Sequence, residues 1–192
     1  GYGPLAENAE FAALCEKCGI KFIGPPIDAI RCMGDKSLAR QTMKDAGVPV
    51  VPGSDGEVDS LTDAQKWAEI IGFPLRLKAS AGGGGRGMRI VRSMDQLAEA
   101  WEMPRMEARG AFTSDAVYME RSIEHARHIE IQILGDEHGN IVHLFERECS
   151  IQRRNQKLLE ESPSPIVDVS MRASLGEAAL AGARGVGYYS AG

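Results

Sequence analysis

Two stretches of the chain concentrate residues able to do chemistry. The first is Leu77-Lys78-Ala79-Ser80-Ala81-Gly82-Gly83-Gly84-Gly85-Arg86-Gly87-Met88. A β-like run ends in Lys78, four consecutive glycines follow, and Arg86-Gly87 leads into a second β-like run. Glycines lack Cβ, so their N–H groups approach an anion closely, and Lys78 adds positive charge. The pattern therefore reads as a phosphate-covering loop rather than a plain hairpin. No Gly-Lys-Ser/Thr closes it, and no G-x-G-x-x-G opens a helix here, which sets it apart from the two common nucleotide loops. It indicates phosphate binding without naming a reaction.

The second stretch is Arg147-Glu148-Cys149-Ser150-Ile151-Gln152-Arg153-Arg154-Asn155-Gln156-Lys157. An isolated basic run is usually a solvated face, and no aromatic residue interleaves it to stack on bases. Glu146, Glu148, Glu160 and Glu161 flank the cations, which suggests an internally neutralised site for an anionic substrate. Arg supplies a planar fork there and Lys a point charge. In His128-Ile129-Glu130-Ile131-Gln132-Ile133 three isoleucines alternate with three polar residues, giving a strand with one apolar face and one face carrying His128, Glu130 and Gln132. Taken alone, that polar face reads as wet sheet surface. His125, His138 and His143 lack metal-site spacing. Cys15 and Cys18 fall in the helical pattern Phe11, Leu14, Cys15, Cys18, which turns both thiols into a core; with Cys32 and Cys149 they read as unpaired thiols of a reducing cytoplasm.

The elements that must position these residues alternate. A helix over 6–17 ends at Gly19, a β-like run covers 21–24, and a helix capped by Asp35 closes at Gly47. Residues 48–54, with Pro49, Pro52 and Gly53, form a linker. Thr62-Asp63-Ala64-Gln65 has the form of a capping box, Gly72 ends its helix, and strands cover 73–79 and 88–91. Ser93 opens a helix interrupted at Pro104. Turn chemistry at 135–140 joins the isoleucine strand to a hairpin partner over 141–146, and a helix over 170–183 finishes the chain.

The 192 residues are 43% hydrophobic and 26% charged, which fits a folded domain; the net charge of −5 argues against nucleic acid or an anionic membrane as partner. No apolar run approaches the ~18 residues of a membrane span. The chain opens on Gly1-Tyr2-Gly3 without Met and stops at Ser190-Ala191-Gly192, so it reads as a piece of something longer.

The two chemical stretches together, with Gly1-Tyr2-Gly3-Pro4-Leu5-Ala6-Glu7-Asn8, Phe22-Ile23-Gly24-Pro25, Met33-Gly34-Asp35-Lys36 and Ala46-Gly47-Val48-Pro49-Val50-Val51-Pro52-Gly53, resemble the biotin carboxylase family, the ATP-grasp component of acetyl-CoA carboxylase and related biotin-dependent carboxylases. The glycine loop is shared loosely with other ATP-grasp ligases such as carbamoyl phosphate synthetase. The run Cys149-Ser150-Ile151-Gln152-Arg153-Arg154 with Gln156-Lys157 is specific to the carboxylating group.

The resemblance implies an α/β (α+β) chain: a partial ATP-grasp fold preceded by the tail of a Rossmann-like N-terminal domain. Residues 1–33 would be that tail and 34–192 an incomplete ATP-grasp domain, with a lid subdomain over about 53–122. The whole protein would be a ligase using ATP, magnesium and bicarbonate to carboxylate biotin on a biotin carboxyl carrier protein through carboxyphosphate. A carboxyltransferase, a homodimer, a cytoplasmic location and fatty acid biosynthesis follow as further implications. Lys36 and Lys78 match phosphate-contacting lysines, and Gly83, Gly84, Gly85 and Met88 match the lid. Glu120, Arg121 and Ile123 match the stretch along the adenine, His128, Gln152 and Asn155 match nucleotide-contacting positions, and Lys157 matches a catalytic lysine near bicarbonate. Arg76, Ser122 and Asn155 depart from an apolar residue, a Tyr and a His, which implies weaker ATP binding. The family's metal-binding glutamates, catalytic base and biotin-holding arginines match nothing in these residues, so no metal ligand is assigned and the stretch is expected to be inactive alone. The alternative is a nucleotide-binding module or decayed paralogue without catalysis.

Overall fold

The computed structural model describes residues 3–79, 88–111, 117–153 and 156–192, without side chains at 4, 36, 37, 79 and 103–111. The chain divides into two compact units, Val51–Ala126 and a second made of Gly1–Val50 with Arg127–Gly192. Six α-helices are described: α1 (Ala9–Lys17), α2 (Ile27–Gly34), α3 (Lys36–Asp45), α4 (Leu61–Ile71), α5 (Met94–Ala111) and α6 (Val169–Gly185). The strands are β1 (Leu75–Ala79), β2 (Met88–Val91), β3 (Val117–Arg121), β4 (Ile129–Gly135), β5 (Ile141–Arg153), β6 (Gln156–Glu161) and β7 (Ser190–Ala191).

The unit Val51–Ala126 is an antiparallel sheet of order β2-β1-β3 backed by α4 and α5. Leu75, Leu77, Val91, Val117 and Met119 point from the sheet into one core with Ala64, Ala68, Ile71, Leu97 and Trp101. Leu75, Leu77 and Leu97 are wholly enclosed, each such burial contributing about 1.5–3 kcal/mol. The opposite sheet face carries Arg76, Lys78 and Glu120 with Ile90 and Met88. The cap of α4 is Ser60, not Thr62: Ser60 Oγ accepts from the Asp63 N–H at 3.1 Å and donates to Asp63 Oδ2 at 2.7 Å. Helix α5 also runs past Pro104 to Ala111. A proline deletes one donor without ending a helix, and this helix is anchored upstream by buried Leu97 and Trp101.

The other unit packs α6 on an antiparallel sheet of order β6-β5-β4-β7. Asp35 Oδ1 accepts from the Leu38 N–H at 2.9 Å, as its capping role requires. Segment 21–24 forms no strand despite its β-like pattern, and Ile27–Gly34 is helix α2, started after Pro26. Cys15 is buried but Cys18 is exposed, because α1 buries only Ala12 and Cys15; all four cysteines are free thiols. Helix α6 approaches its neighbours closely. A Cβ at Gly176 would stand 2.5 Å from the His143 ring, and one at Gly182 would stand 2.8 Å from Met43 Sδ.

The hairpin partner of β4 is much longer than expected, and it contains a bulge. His143 faces Ile133 and Glu146 faces Ile131, so Leu144 and Phe145 together oppose Gln132. Phe145 adopts φ 68°, the left-handed conformation that one class of bulge uses. The inserted residue reverses the alternation of β5. His143 points toward α6 before the bulge and Glu146 after it; Glu148 shares the face of Glu146, and Arg147 and Cys149 take the other. No helix among the described residues is long and apolar enough to cross a membrane.

Candidate functional site

Each unit presents one charged sheet face. In the unit Val51–Ala126, period-2 alternation puts Arg76 and Lys78 opposite Leu75 and Leu77. The register sets Arg76 beside Ile90 and Glu120, and Lys78 beside Met88 and Tyr118, so all six share the face away from the core. Glu120 Oε1 receives Lys78 Nζ at 2.6 Å and lies 3.8 Å from Arg76 Nη1. The sequence-named residues Lys78, Met88 and Glu120 thus stand on one patch, with two cations around one carboxylate. Arg121 points away from it: its Nη1 donates to the Ile71 carbonyl at 2.9 Å, closing the end of α4. Ile123 is exposed, and Ser122 is buried with no hydrogen-bond partner for its hydroxyl among the described residues. Gly83, Gly84 and Gly85 lie outside the described residues.

In the other unit, the bulge brings the two sequence motifs together. Glu130 faces Arg147 directly across β4 and β5. Arg147 Nε donates to Glu130 Oε1 at 2.5 Å, and its Nη1 donates to Gln132 Oε1 at 2.9 Å. Lys157, carried by β6, closes on the other oxygen of the same carboxylate. Glu160 lies 3.5 Å from Arg147 Nε and 3.9 Å from Lys157 Nζ. Burial works against ionisation of Glu130, but the hydrogen bonds from Lys157 and Arg147 outweigh it and hold the carboxyl below its ordinary range. The same bond to Glu130 raises Lys157, so Lys157 is a fixed ammonium at neutral pH and an anchor for an anion rather than a base. Cys149 is fully enclosed beside this cluster, and burial pushes its thiol up. Gln152 Nε2 donates to the Cys149 carbonyl at 2.8 Å, and the His128 N–H to Ser150 Oγ at 2.8 Å. Asn155 and the Lys36 side chain lie outside the described residues.

The flanking acids serve two purposes. Glu160 joins the neutralised cluster, whereas Glu146 faces α6 and Glu148, on the same face, meets the segment before it. Glu146 takes a fork from Arg172, Nε at 2.8 Å and Nη2 at 2.6 Å, and Glu148 takes Ser164 Oγ at 2.7 Å and Arg127 Nη1 at 3.4 Å. Sequence reasoning did not name Glu130 as a site residue, although its place between two isoleucines marked the face it occupies. Magnesium is poorly served by these side chains: Glu120 has Lys78 and Arg76 beside it, and Glu130 has Lys157, Arg147, the His128 imidazole and the Cys149 thiol, whereas Mg2+ takes a shell of oxygen donors.

The mixed helix-and-sheet architecture, with its two antiparallel sheets β2-β1-β3 and β6-β5-β4-β7, is that of a partial ATP-grasp fold. Residues 35–192 match the family model for the carbamoyl-phosphate synthase L chain ATP binding domain, and residues 1–30 match that for the biotin carboxylase N-terminal domain. The chain belongs to the biotin carboxylase family of ATP-grasp proteins. It is 54% identical to biotin carboxylase 2, chloroplastic, of Populus trichocarpa, covering 100% of this chain and 36% of that protein. It is 50% identical to pyruvate carboxylase of Bacillus subtilis, again over all of this chain but 17% of that one. The crystal structure of the biotin carboxylase–beta-gamma-ATP complex from Campylobacter jejuni matches with TM-score 0.88 at 50% identity, covering 100% of this chain and 43% of that one. The chain therefore spans well under half the length of these relatives.

Proposed function

We propose that the whole protein containing these residues carboxylates biotin on a carrier protein, using ATP and bicarbonate through carboxyphosphate. The single observation that carries this reading is the joining of His128–Gln132 to Arg147–Lys157 around Glu130. That cluster fixes an ammonium and a guanidinium close together, two cationic donors that suit a small anion such as bicarbonate. Lys157 would orient bicarbonate, and Arg147 would keep Glu130 ionised behind it.

Lys78, Lys36 and the N–H groups of Gly83, Gly84 and Gly85 would offset phosphate charge and exclude water from a hydrolysable intermediate. Met88, Glu120, Arg121, Ile123, His128, Gln152 and Asn155 would contact the rest of the nucleotide. Arg121 would do so through its backbone carbonyl, since its side chain is committed to Ile71. Residues 1–33 read as the end of an N-terminal domain and 34–192 as ATP-grasp, with the lid over about 53–122. Magnesium, when bound, would supply charge neutralisation for phosphoryl transfer through residues other than these. Carrier protein, carboxyltransferase and a homodimer complete the proposed assembly, in the cytoplasm. The biotin half-reaction is common to several carboxylases; acetyl-CoA carboxylase, serving fatty acid biosynthesis, is the proposed setting. The 192 residues alone are proposed to be inactive.

The test separates two steps. In the whole protein, Lys157→Met is expected to lower bicarbonate-dependent ADP release at least ~100-fold while calorimetric ATP binding stays within about threefold. Lys78→Met is expected to weaken ATP binding itself. Unchanged turnover in Lys157→Met overturns the assignment.

A further inference from the structure

We propose that His128, Glu130 and Cys149 form a site for a soft divalent cation, Zn2+ or its spectroscopic substitute Co2+. One ligand atom from each lies within 4.8 Å of the other two. The pairing of β4 with β5 makes the cluster: the Cys149 N–H donates to the His128 carbonyl at 2.8 Å, and Glu130 follows two residues on, on the face shared by Arg147 and Cys149. A thiolate and an imidazole are donors for Zn2+ and Co2+, not for Mg2+, which takes oxygen. The site is therefore different in kind from a nucleotide-bound magnesium.

Geometry and charge both permit the closure. Tetrahedral bonds of about 2.3 Å to sulfur and 2.0 Å to nitrogen place ligand atoms about 3.5 Å apart, so the cluster must contract by roughly 1 Å. His128 is exposed, and no side-chain partner among the described residues restrains its ring from swinging in. Glu130 is held by Lys157 and Arg147, but Glu160 already lies 3.9 Å from Lys157 Nζ and 3.5 Å from Arg147 Nε and takes over when Glu130 turns to a cation. Thiolate and carboxylate together neutralise a dication, and the thiol proton leaves to solvent. Three protein ligands leave the fourth position to water or a small anion. Where Lys157 serves bicarbonate, as proposed above, the bound cation removes its partner and inhibits turnover; that consequence rests on the proposed function, and the binding itself does not.

The test is a Co2+ titration of the chain in a thiol-free reductant. A thiolate-to-cobalt charge-transfer absorption should saturate at a single equivalent, vanish on addition of Zn2+ and survive Mg2+. Cys149→Ser should abolish it, and His128→Ala should weaken binding by more than the 10–100-fold typical of outer-shell partners. Cys18→Ser, which removes the exposed thiol, should retain it. No saturable absorption in the unaltered chain, persistence in Cys149→Ser, or loss in Cys18→Ser each overturns the proposal. His128→Ala, at an exposed position, keeps the test valid if Cys149→Ser does not fold. Nucleotide affinity measured calorimetrically on the same samples reports on the nucleotide reading separately, so either can fail without the other.

Discussion

Glu146→Gln is expected to destabilise the chain by about 3 kcal/mol at neutral pH without touching the charged face. Glu146 is enclosed on β5, and Arg172 of α6 grips it with two bonds of 2.8 and 2.6 Å, the Ser164 N–H adding a third at 3.2 Å. Arg172 lowers its carboxyl from an ordinary 4.5 to about 2. A difference of that size corresponds to about 3 kcal/mol of stabilisation, within the ~3–5 kcal/mol lost when a buried pair is left with one member. The folded value is depressed, so the stabilisation is complete above pH 4.5 and disappears as pH falls from there toward 2. The assay is urea unfolding of the unaltered and Glu146→Gln chains between pH 7 and pH 2.5. The gap in unfolding free energy should be full at pH 7 and narrow steadily below pH 4.5. A gap under about 1 kcal/mol at pH 7, or one that does not narrow in acid, refutes the reasoning.

Other substitutions probe separate elements. Ser60→Ala should cost about 1 kcal/mol by removing the α4 cap, read as a lower urea midpoint. Gly53→Ala should cost about 1–3 kcal/mol, because a Cβ there would meet the Met119 carbonyl oxygen at 2.6 Å and Tyr118 Oη at 2.7 Å; denaturation of the chain checks it. Arg76→Ile combined with Asn155→His should tighten nucleotide binding in the whole protein, measured by calorimetry. An unchanged affinity would show that these departures do not set it.

The sequence by itself determined the chemistry-bearing pieces. Lys78 before the glycines, the isoleucine alternation around Glu130, and the acid-flanked Arg147–Lys157 run were all legible, because residue type and a period of two need no tertiary knowledge. Arg76 and Lys78 on one face followed from the same period. The tertiary structure decided which charges meet. Without the extra residue at Phe145, period-2 counting would set Glu146 and Glu148 on the face of Leu144 and would turn Arg147 and Cys149 toward α6. A bulge built on a phenylalanine at φ 68° leaves no glycine to announce it, so its reversal of β5 was invisible in the residues. The pairing of Glu130 with Arg147, the capture of Lys157 by the same carboxylate and the turning of Glu146 to Arg172 all depend on strand register. Register is fixed by burial against α6, a long-range condition that local patterns do not encode.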